Sequence, residues 1–251
     1  MTVRGAALIT LTVAVGNTSV FVGVFAGEKL RKSFRLEPAE LIRLPLRVGA
    51  KVDRAAVCSV VPALTPDVLR LIRRTWEIEA RVLSADAAHG LKIGYRRPRE
   101  MGADRVAAAL GARTIWPGRD AIVVDFGTAT TVTAVSRDGT VVGGAILPGA
   151  ALWPEVLADR TALLPSVAVR RPRSAVGRSP AEAIASGCFF GQVGAIREVV
   201  SRVKREAFGG RAAVRVVATG GNARLFANEG LFDAVERELV LIGLNEFAGR
   251  A

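Results

Sequence analysis

A single histidine, His89, stands in 251 residues, and only two cysteines, Cys58 and Cys188. A reaction built on a histidine base is therefore not expected. Two thiols cannot form a disulfide framework, and no Cys/His cluster has the spacing of a zinc site. No apolar run reaches the roughly 18 residues of a membrane span. The first 20 residues, with Gly5, Gly16 and Asn17, lack a charged-then-apolar signal layout. A cytoplasmic protein without a membrane partner is expected. Lysine is scarce too: five of the 35 basic residues, against 23 acidic ones, for a net charge of +12. The arginines are scattered, apart from short runs at Arg96-Arg97 and Arg170 to Arg173. They read as solvated surface, and a nucleic-acid partner is not expected. His89, in a turn-like stretch before Leu91-Lys92-Ile93, reads as a surface residue. Trp76, Trp116 and Trp153 are too far apart in sequence to form a base-stacking platform.

What is present is a large apolar fraction, 50%, enough for a sizeable core. The length fits one large domain or two subdomains. Residues 8–30 read as strand, tight loop at Gly16-Asn17-Thr18, strand, turn at Ala26-Gly27-Glu28, strand. Residues 121–146 repeat the pattern, with a turn at Arg137-Asp138-Gly139. Overlaying the copies sets Val13-Ala14-Val15-Gly16-Asn17-Thr18-Ser19 on Val124-Asp125-Phe126-Gly127-Thr128-Ala129-Thr130. Helical stretches follow each copy: 37–48, 66–78 and 100–112, then 150–160, 180–207 and 233–247. The duplication implies two similar α/β subdomains, 1–115 and 116–251, facing each other across a cleft.

Each loop carries chemistry. Glycine at a strand end permits a tight turn. Exposed N–H groups and Thr or Ser hydroxyls can hold phosphate oxygens. A carboxylate there can hold a metal ion and its waters. Two such loops, with Gly220-Gly221 further on, point to polyphosphate binding. One difference between the copies bears on that chemistry: Asp125 in the second is Ala14 in the first, and alanine offers no metal ligand.

Seven segments in order then give a resemblance that spans residues 9 to 245. They are Val15-Gly16-Asn17-Thr18; Ser59 to Thr65; Tyr95 with Pro98 to Arg105; Asp125 to Thr131; Gly143 to Gly149; Ser186-Gly187 with Gly191 to Gly194; and Ala218 to Gly221. The sequence resembles the type III pantothenate kinases, of the acetate and sugar kinase, Hsp70 and actin superfamily. The resemblance implies two actin-like (ribonuclease H-like) subdomains, each a mixed sheet with helices. It implies ATP-dependent phosphorylation of pantothenate, the first step toward coenzyme A. Asp104 is then the general base. Tyr95, Gly102, Ala103, Asp104, Arg105 and Pro180 fall on the substrate-binding positions. Gly16, Asn17, Thr18, Ser19, Gly127, Thr128, Thr130, Thr131, Gly220 and Gly221 would bind ATP. Asp125 would hold a metal, in the family a monovalent cation (K⁺ or NH₄⁺), with Mg²⁺ accompanying ATP. The family's pocket lies at a dimer interface, so a homodimer is expected. The small residues of helix 180–207 mark that helix as a candidate interface.

The chemistry agrees: phosphoryl transfer needs positioning and charge neutralisation more than covalent catalysis, so an Asp base suffices without histidine. Four positions depart from the family pattern. Ala14 replaces the Asp of the first phosphate loop, and Arg97 replaces the Asn before Pro98. Pro180 replaces a substrate-contacting threonine in Gly177-Arg178-Ser179-Pro180, and Thr133 replaces an Asp after the second loop. Ser179 is nevertheless a good N-cap, with Pro180 at the first helical position and Glu182 completing a capping box. The departures leave two alternatives beside the kinase. One is a degenerate relative, weak or inactive, acting by binding or regulation. The other is a kinase for a different small alcohol.

Overall fold

The computed structural model describes residues 7–87, 89–209 and 213–250. The chain forms two compact units: one runs to Pro117 and resumes at Glu238, and the other spans Gly118–Arg237.

In the first unit β1 (Ile9–Val15), β2 (Val20–Ala26) and β3 (Lys29–Leu36) form an antiparallel meander. A 3-10 turn (Pro38–Arg43) and the short α1 (Leu44–Val48) follow. Then come β4 (Arg54–Ser59), α2 (Thr65–Trp76), β5 (Ala80–Leu83), β6 (Lys92–Ile93) and α3 (Ala103–Ile115). The sheet runs β3-β2-β1-β4-β5, with β4 parallel to both its neighbours. Strands β1 and β4 are mostly buried, the hydroxyls of Thr10 and Thr12 included, because they lie at the centre of the sheet. The outer strand β3 buries Phe34 and Leu36 and exposes Lys29, Arg31, Lys32 and Arg35, a charged edge that discourages pairing with another chain.

The second unit repeats the plan. Its meander is β7 (Ala121–Phe126), β8 (Ala129–Val135) and β9 (Thr140–Pro148). After α4 (Leu152–Arg160) and α5 (Pro180–Phe208) come β10 (Arg215–Thr219), α6 (Ala223–Phe226) and β11 (Ala234–Val235). The strands of this unit run in the order β9-β8-β7-β10-β11, again with parallel pairing beyond the meander, and β6 is assigned to the sheet's edge beside β9. The end of β7 is held by aromatic packing. Phe126 stacks on Phe226 at 4.7 Å and meets Phe232 edge-on at 5.8 Å, and Phe189 of α5 stacks on Phe226 at 5.3 Å. By length and composition α5 could cross a membrane, but half of its most apolar stretch is buried in the protein. Phe189, Val193 and Ile196 belong to the core under the sheet.

Three sequence expectations are corrected. The last helix, α7 (Leu239–Gly249), packs in the first unit rather than completing a second subdomain of 116–251. Two glycines explain the fit. A Cβ on Gly243 would lie 1.9 Å from the Ala107 carbonyl oxygen, and one on Gly111 would lie 2.1 Å from that of Leu239. The backbones of α3 and α7 therefore touch directly. The stretch 233–238, expected as helix, contains β11, which pairs with β10 at Val217–Ala234 and Ala218–Val235. His89 is buried, not superficial. Its Nδ1 accepts from the Leu91 N–H at 3.0 Å, which leaves Nε2 to donate to the Ala85 carbonyl at 3.2 Å.

The overlay of the two hairpins also slips. Val15 pairs with Val20 across the first loop, but Phe126 pairs with Thr130 across the second. The first loop is one residue longer, so Val20, not Ser19, is the counterpart of Thr130.

The α3–α7 contact makes a test. Gly243→Ala forces the helices apart and should cost about 1–3 kcal/mol or more, as overpacking does, read as a lowered midpoint in thermal or urea unfolding.

Candidate active site

In the first unit the loop Gly16–Ser19 joins β1 to β2. The Gly16 N–H donates to the Ser19 carbonyl at 3.0 Å and closes the turn. Asn17 and Thr18 are exposed at its tip. Arg35 donates to Ser19 Oγ at 3.2 Å and lies 4.0 Å over the Phe21 ring, which braces the loop from β3. Ala14 sits one residue before the strand end, between Phe21 and Cys58 in the sheet.

The end of β4 is tied to the same place, because the Val60 N–H donates to the Val15 carbonyl at 3.0 Å. Ser59 Oγ accepts from Thr65 Oγ1 at 2.7 Å and from the Val61 N–H at 3.1 Å. The segment Ser59–Thr65 is thus a self-bonded turn that launches α2.

The stretch Tyr95–Arg105 gathers five of the expected substrate residues. Pro98–Glu100 makes a 3-10 turn, Met101 is extended, and Gly102 is the N-cap of α3. Asp104 Oδ1 accepts from the adjoining Arg105 N–H at 2.8 Å. A Cβ on Gly102 would lie 2.5 Å from that oxygen, so only glycine leaves room for the carboxylate to fold back over the helix start. Burial is the chief influence on Asp104 and raises its pKa above the usual carboxylate value. The backbone N–H and charge of Arg105 only partly offset it. Arg105 is buried, donates through Nη1 to the Tyr95 hydroxyl, and has its guanidinium 5.6 Å from that ring's centre. Tyr95, Gly102, Ala103, Asp104 and Arg105 therefore form one cluster. Arg97, by contrast, is exposed and paired with Glu100 at 3.1 Å.

In the second unit Asp125 lies at the end of β7, beside Thr131 on β8 and Thr219 on β10. Gly220 passes directly over it with φ +92°, and a Cβ there would meet Asp125 Oδ1 at 2.3 Å and the Phe126 nitrogen at 2.7 Å. Gly127 closes the hairpin by donating to the Ala129 carbonyl at 3.1 Å. Gly149 abuts the loop from below, since a Cβ there would lie 2.0 Å from the Thr128 carbonyl oxygen. Gly127 and Thr128 are exposed, while Thr130 is wholly buried. Gly221 has open space around its α-carbon. These residues make a glycine-walled cradle around one carboxylate.

Two side chains outside the sequence-based selection support it. Gln192, fully buried on α5, donates to Thr130 Oγ1 at 3.0 Å, and its Oε1 has no hydrogen-bond partner among the described residues. Thr219 Oγ1 is likewise buried without one. A glutamine on the apolar face of a helix was the available signal.

Pro180 opens α5 as expected. Ser179 Oγ accepts from the Glu182 N–H at 3.3 Å, but the Glu182 carboxylate accepts from the Arg178 N–H at 2.7 Å, one residue before the cap. Pro180 lines an apolar groove of about 680 Å³ with Leu152, Trp153, Leu157, Ile184 and Cys188. Burial raises the Cys188 thiol's pKa.

Among the described residues no three His, Cys, Asp or Glu side chains gather as a metal site. The donor set suits magnesium all the same, which commonly keeps its waters and takes one or two carboxylates plus phosphate oxygens. Beside Asp125, Gly127 and Thr128 are exposed, where phosphate oxygens can be met.

The sequence profile of the type III pantothenate kinases matches residues 10–202. The chain belongs to the type III pantothenate kinase family. It is 39% identical over 246 residues to the type III pantothenate kinase of Legionella pneumophila (strain Corby), covering 93% of this chain and 96% of that one. To that of Dehalococcoides mccartyi (strain ATCC BAA-2266 / KCTC 15142 / 195) it is 38% identical over 248 residues, covering 93% and 95%. Among solved structures it resembles a protein described as a Baf family transcriptional activator from Campylobacter jejuni. That match has a TM-score of 0.61 and 22% identity over 94% of this chain and 96% of the other. The ethanolamine utilization protein EutJ of Carboxydothermus hydrogenoformans matches at 0.57 and 15% identity, over 95% and 90%. Both likenesses show a shared fold. The family's members are kinases, which use ATP with a divalent metal.

Gly220→Ala tests the cradle. The added methyl has to displace Asp125 or the β7 backbone, so ATP binding measured by calorimetry should fall on the order of tenfold or more. Gly221→Ala, with open space, should bind ATP nearly as the parent does.

Proposed function

We propose that the protein transfers the γ-phosphoryl group of ATP to the hydroxyl of pantothenate. Family membership over nearly the full chain, joined to the half-buried Asp104 at the start of α3, carries this reading. The Asp104 carboxylate accepts the hydroxyl proton as the oxygen–phosphorus bond forms. Its raised pKa makes it a stronger base than an exposed aspartate, while Arg105 and the helix start keep the ionised form available. Tyr95 and Arg105 hold the acceptor, with Gly102 and Ala103 lining the space beside it.

The loop Gly16–Ser19 and the loop Gly127–Thr131 serve the phosphates, and Gly220 and Gly221 admit the nucleotide's approach. Bound magnesium supplies charge neutralisation at the phosphates. Asp125 would hold the cation, whether magnesium or a monovalent ion such as potassium; with Ala14 before the first loop, no second carboxylate there would share that task. Pro180 offers the acceptor a nonpolar surface in place of a hydroxyl. A homodimer is proposed, with the exposed part of α5 and its apolar groove as the contact. A cytoplasmic location fits this reading.

Steady-state turnover of ATP with and without pantothenate tests the assignment. Activity that is independent of pantothenate, or absent with it, would sink it. Asp104→Asn should lower kcat on the order of 10²–10⁴. In the parent, kcat should fall with acid at a midpoint above the ordinary aspartate range. Stability should move the other way. A carboxyl whose folded pKa is raised favours the fold at low pH, and that contribution is lost as pH rises through the raised value. Asp104→Asn should therefore raise Tm at neutral pH and change it little in acid. Ala14→Asp should lower the Mg²⁺ concentration needed for half-maximal rate and raise kcat by roughly tenfold or more. An unchanged Mg²⁺ dependence would show that the first loop carries no metal.

A further inference from the structure

The arginine run that reads as solvated surface in the sequence is folded around a concavity. Arg170, Arg171, Arg173 and Arg178 line a groove of about 510 Å³ on the second unit, together with Ser174, Gly177 and Glu182. It shares no residue with the Asp125 cradle or with the apolar groove at Pro180. Arg171 pairs with Glu229 at 3.1 Å. The side chains of Arg170, Arg173 and Arg178 have no acidic partner within ion-pair distance among the described residues. The one carboxylate in the lining, Glu182, accepts from the Arg178 N–H and leaves the lining of four arginines net positive.

The wall carrying these arginines is pinned. Ser186 Oγ of α5 donates to the Ala175 carbonyl at 2.6 Å. Gly177 lies so close to the first turn of α5 that a Cβ would meet the Ala183 nitrogen at 2.3 Å. Ser174 Oγ accepts from the Val176 N–H at 3.1 Å. Several like charges in one concavity repel each other and concentrate anions there. Guanidinium forks match phosphate oxygens in pairs. The volume falls in the range of small-molecule sites, about 300–1,000 Å³, and exceeds what one phosphate fills.

We propose that this groove binds a small molecule carrying two or more phosphate charges, at a site separate from the ATP loops. The site needs no catalytic step and holds whether or not the kinase assignment does.

Pyrophosphate titrated by calorimetry at constant ionic strength tests it, on the parent and on R170Q/R173Q/R178Q, with the unliganded Tm of each recorded. The expected result is a pyrophosphate site in the parent that weakens on the order of tenfold or more in the triple variant. Any binding at the ATP loops stays in both proteins and is told apart by its persistence. Pyrophosphate binding that is equal in the two proteins, or absent from the parent, overturns the proposal. R173K/R178K, which keeps charge but loses the paired geometry, guards against a folding defect in the triple variant. It should bind several-fold more weakly than the parent, and unchanged binding there also counts against the site. A single-stranded oligonucleotide that binds the groove more tightly than pyrophosphate, with a steep salt dependence, would make the occupant a nucleic acid and refute the small-molecule reading.

Discussion

The second unit is organised by the passage of one glycine over one carboxylate. Gly220 can take φ +92° and lie against Asp125 only because it has no Cβ. That approach fixes the end of β10 beside the end of β7, and the Asn222 N–H then donates to the Phe126 carbonyl at 3.2 Å. Phe126 in turn is locked by Phe226 and Phe232, which follow within a dozen residues of the glycine. The loop Gly127–Ala129 inherits its position from this packed base. Gly149 closes in on Thr128 from the other side of the meander. A loop that must hold phosphate oxygens without a moving backbone gains from such support, because donors fixed in advance need no reorganisation when charge arrives.

The duplication was legible because strand periodicity and glycine turns are local signals. Both meanders and both tight loops follow from alternating β-branched residues and Gly16 or Gly127. The parallel strands and the sheet order do not, since pairing of β1 with β4 or β7 with β10 is settled by contacts distant in sequence. The misplacement of α7 has the same origin. Its apolar pattern gives a helix, but nothing in Leu239–Gly249 alone says which core will cover it. That choice lies in Gly111 and Gly243, whose missing side chains matter only once α3 and α7 are brought together. His89 was misread for a related reason. A turn-like neighbourhood suggests solvent, whereas two backbone hydrogen bonds to the imidazole make burial tolerable.

Among the site residues, those within a single short segment were the most readable. Tyr95 and Gly102 to Arg105 are close in the chain and close in space. Gln192 and Thr219 lie in two of the resembling segments but receive no role from the sequence, because their significance comes from burial without full hydrogen bonding, which only a structure displays. Each buried polar atom left unbonded costs stability, on the order of 1–3 kcal/mol. Retaining two of them near Thr130 and Asp125 is consistent with polar character being wanted beneath the loop. Arg97 shows the opposite case: a conspicuous cation at an expected substrate position that is paired with its own neighbour, Glu100, at the surface.

The loss of the first-loop carboxylate at Ala14 has to be judged against the inequality of the two loops. Their hairpins share a plan but differ by one residue in length, so Gly16 bonds to Ser19 where Gly127 bonds to Ala129. They present their N–H groups differently and were never interchangeable. Asp125 is walled by Gly220 and Gly127, whereas Ala14 lies between Phe21 and Cys58 in a sheet centre with a buried floor. A carboxylate at position 14 would have to turn from this apolar surround toward the loop to stay ionised. Alanine removes that desolvation cost together with the ligand. The unit that lacks the metal-binding carboxylate is also the one that holds Asp104, whose raised pKa comes from burial. Under the proposed reading, less anionic charge in that unit lowers the repulsion that an approaching triphosphate meets, and the cost falls on metal organisation instead.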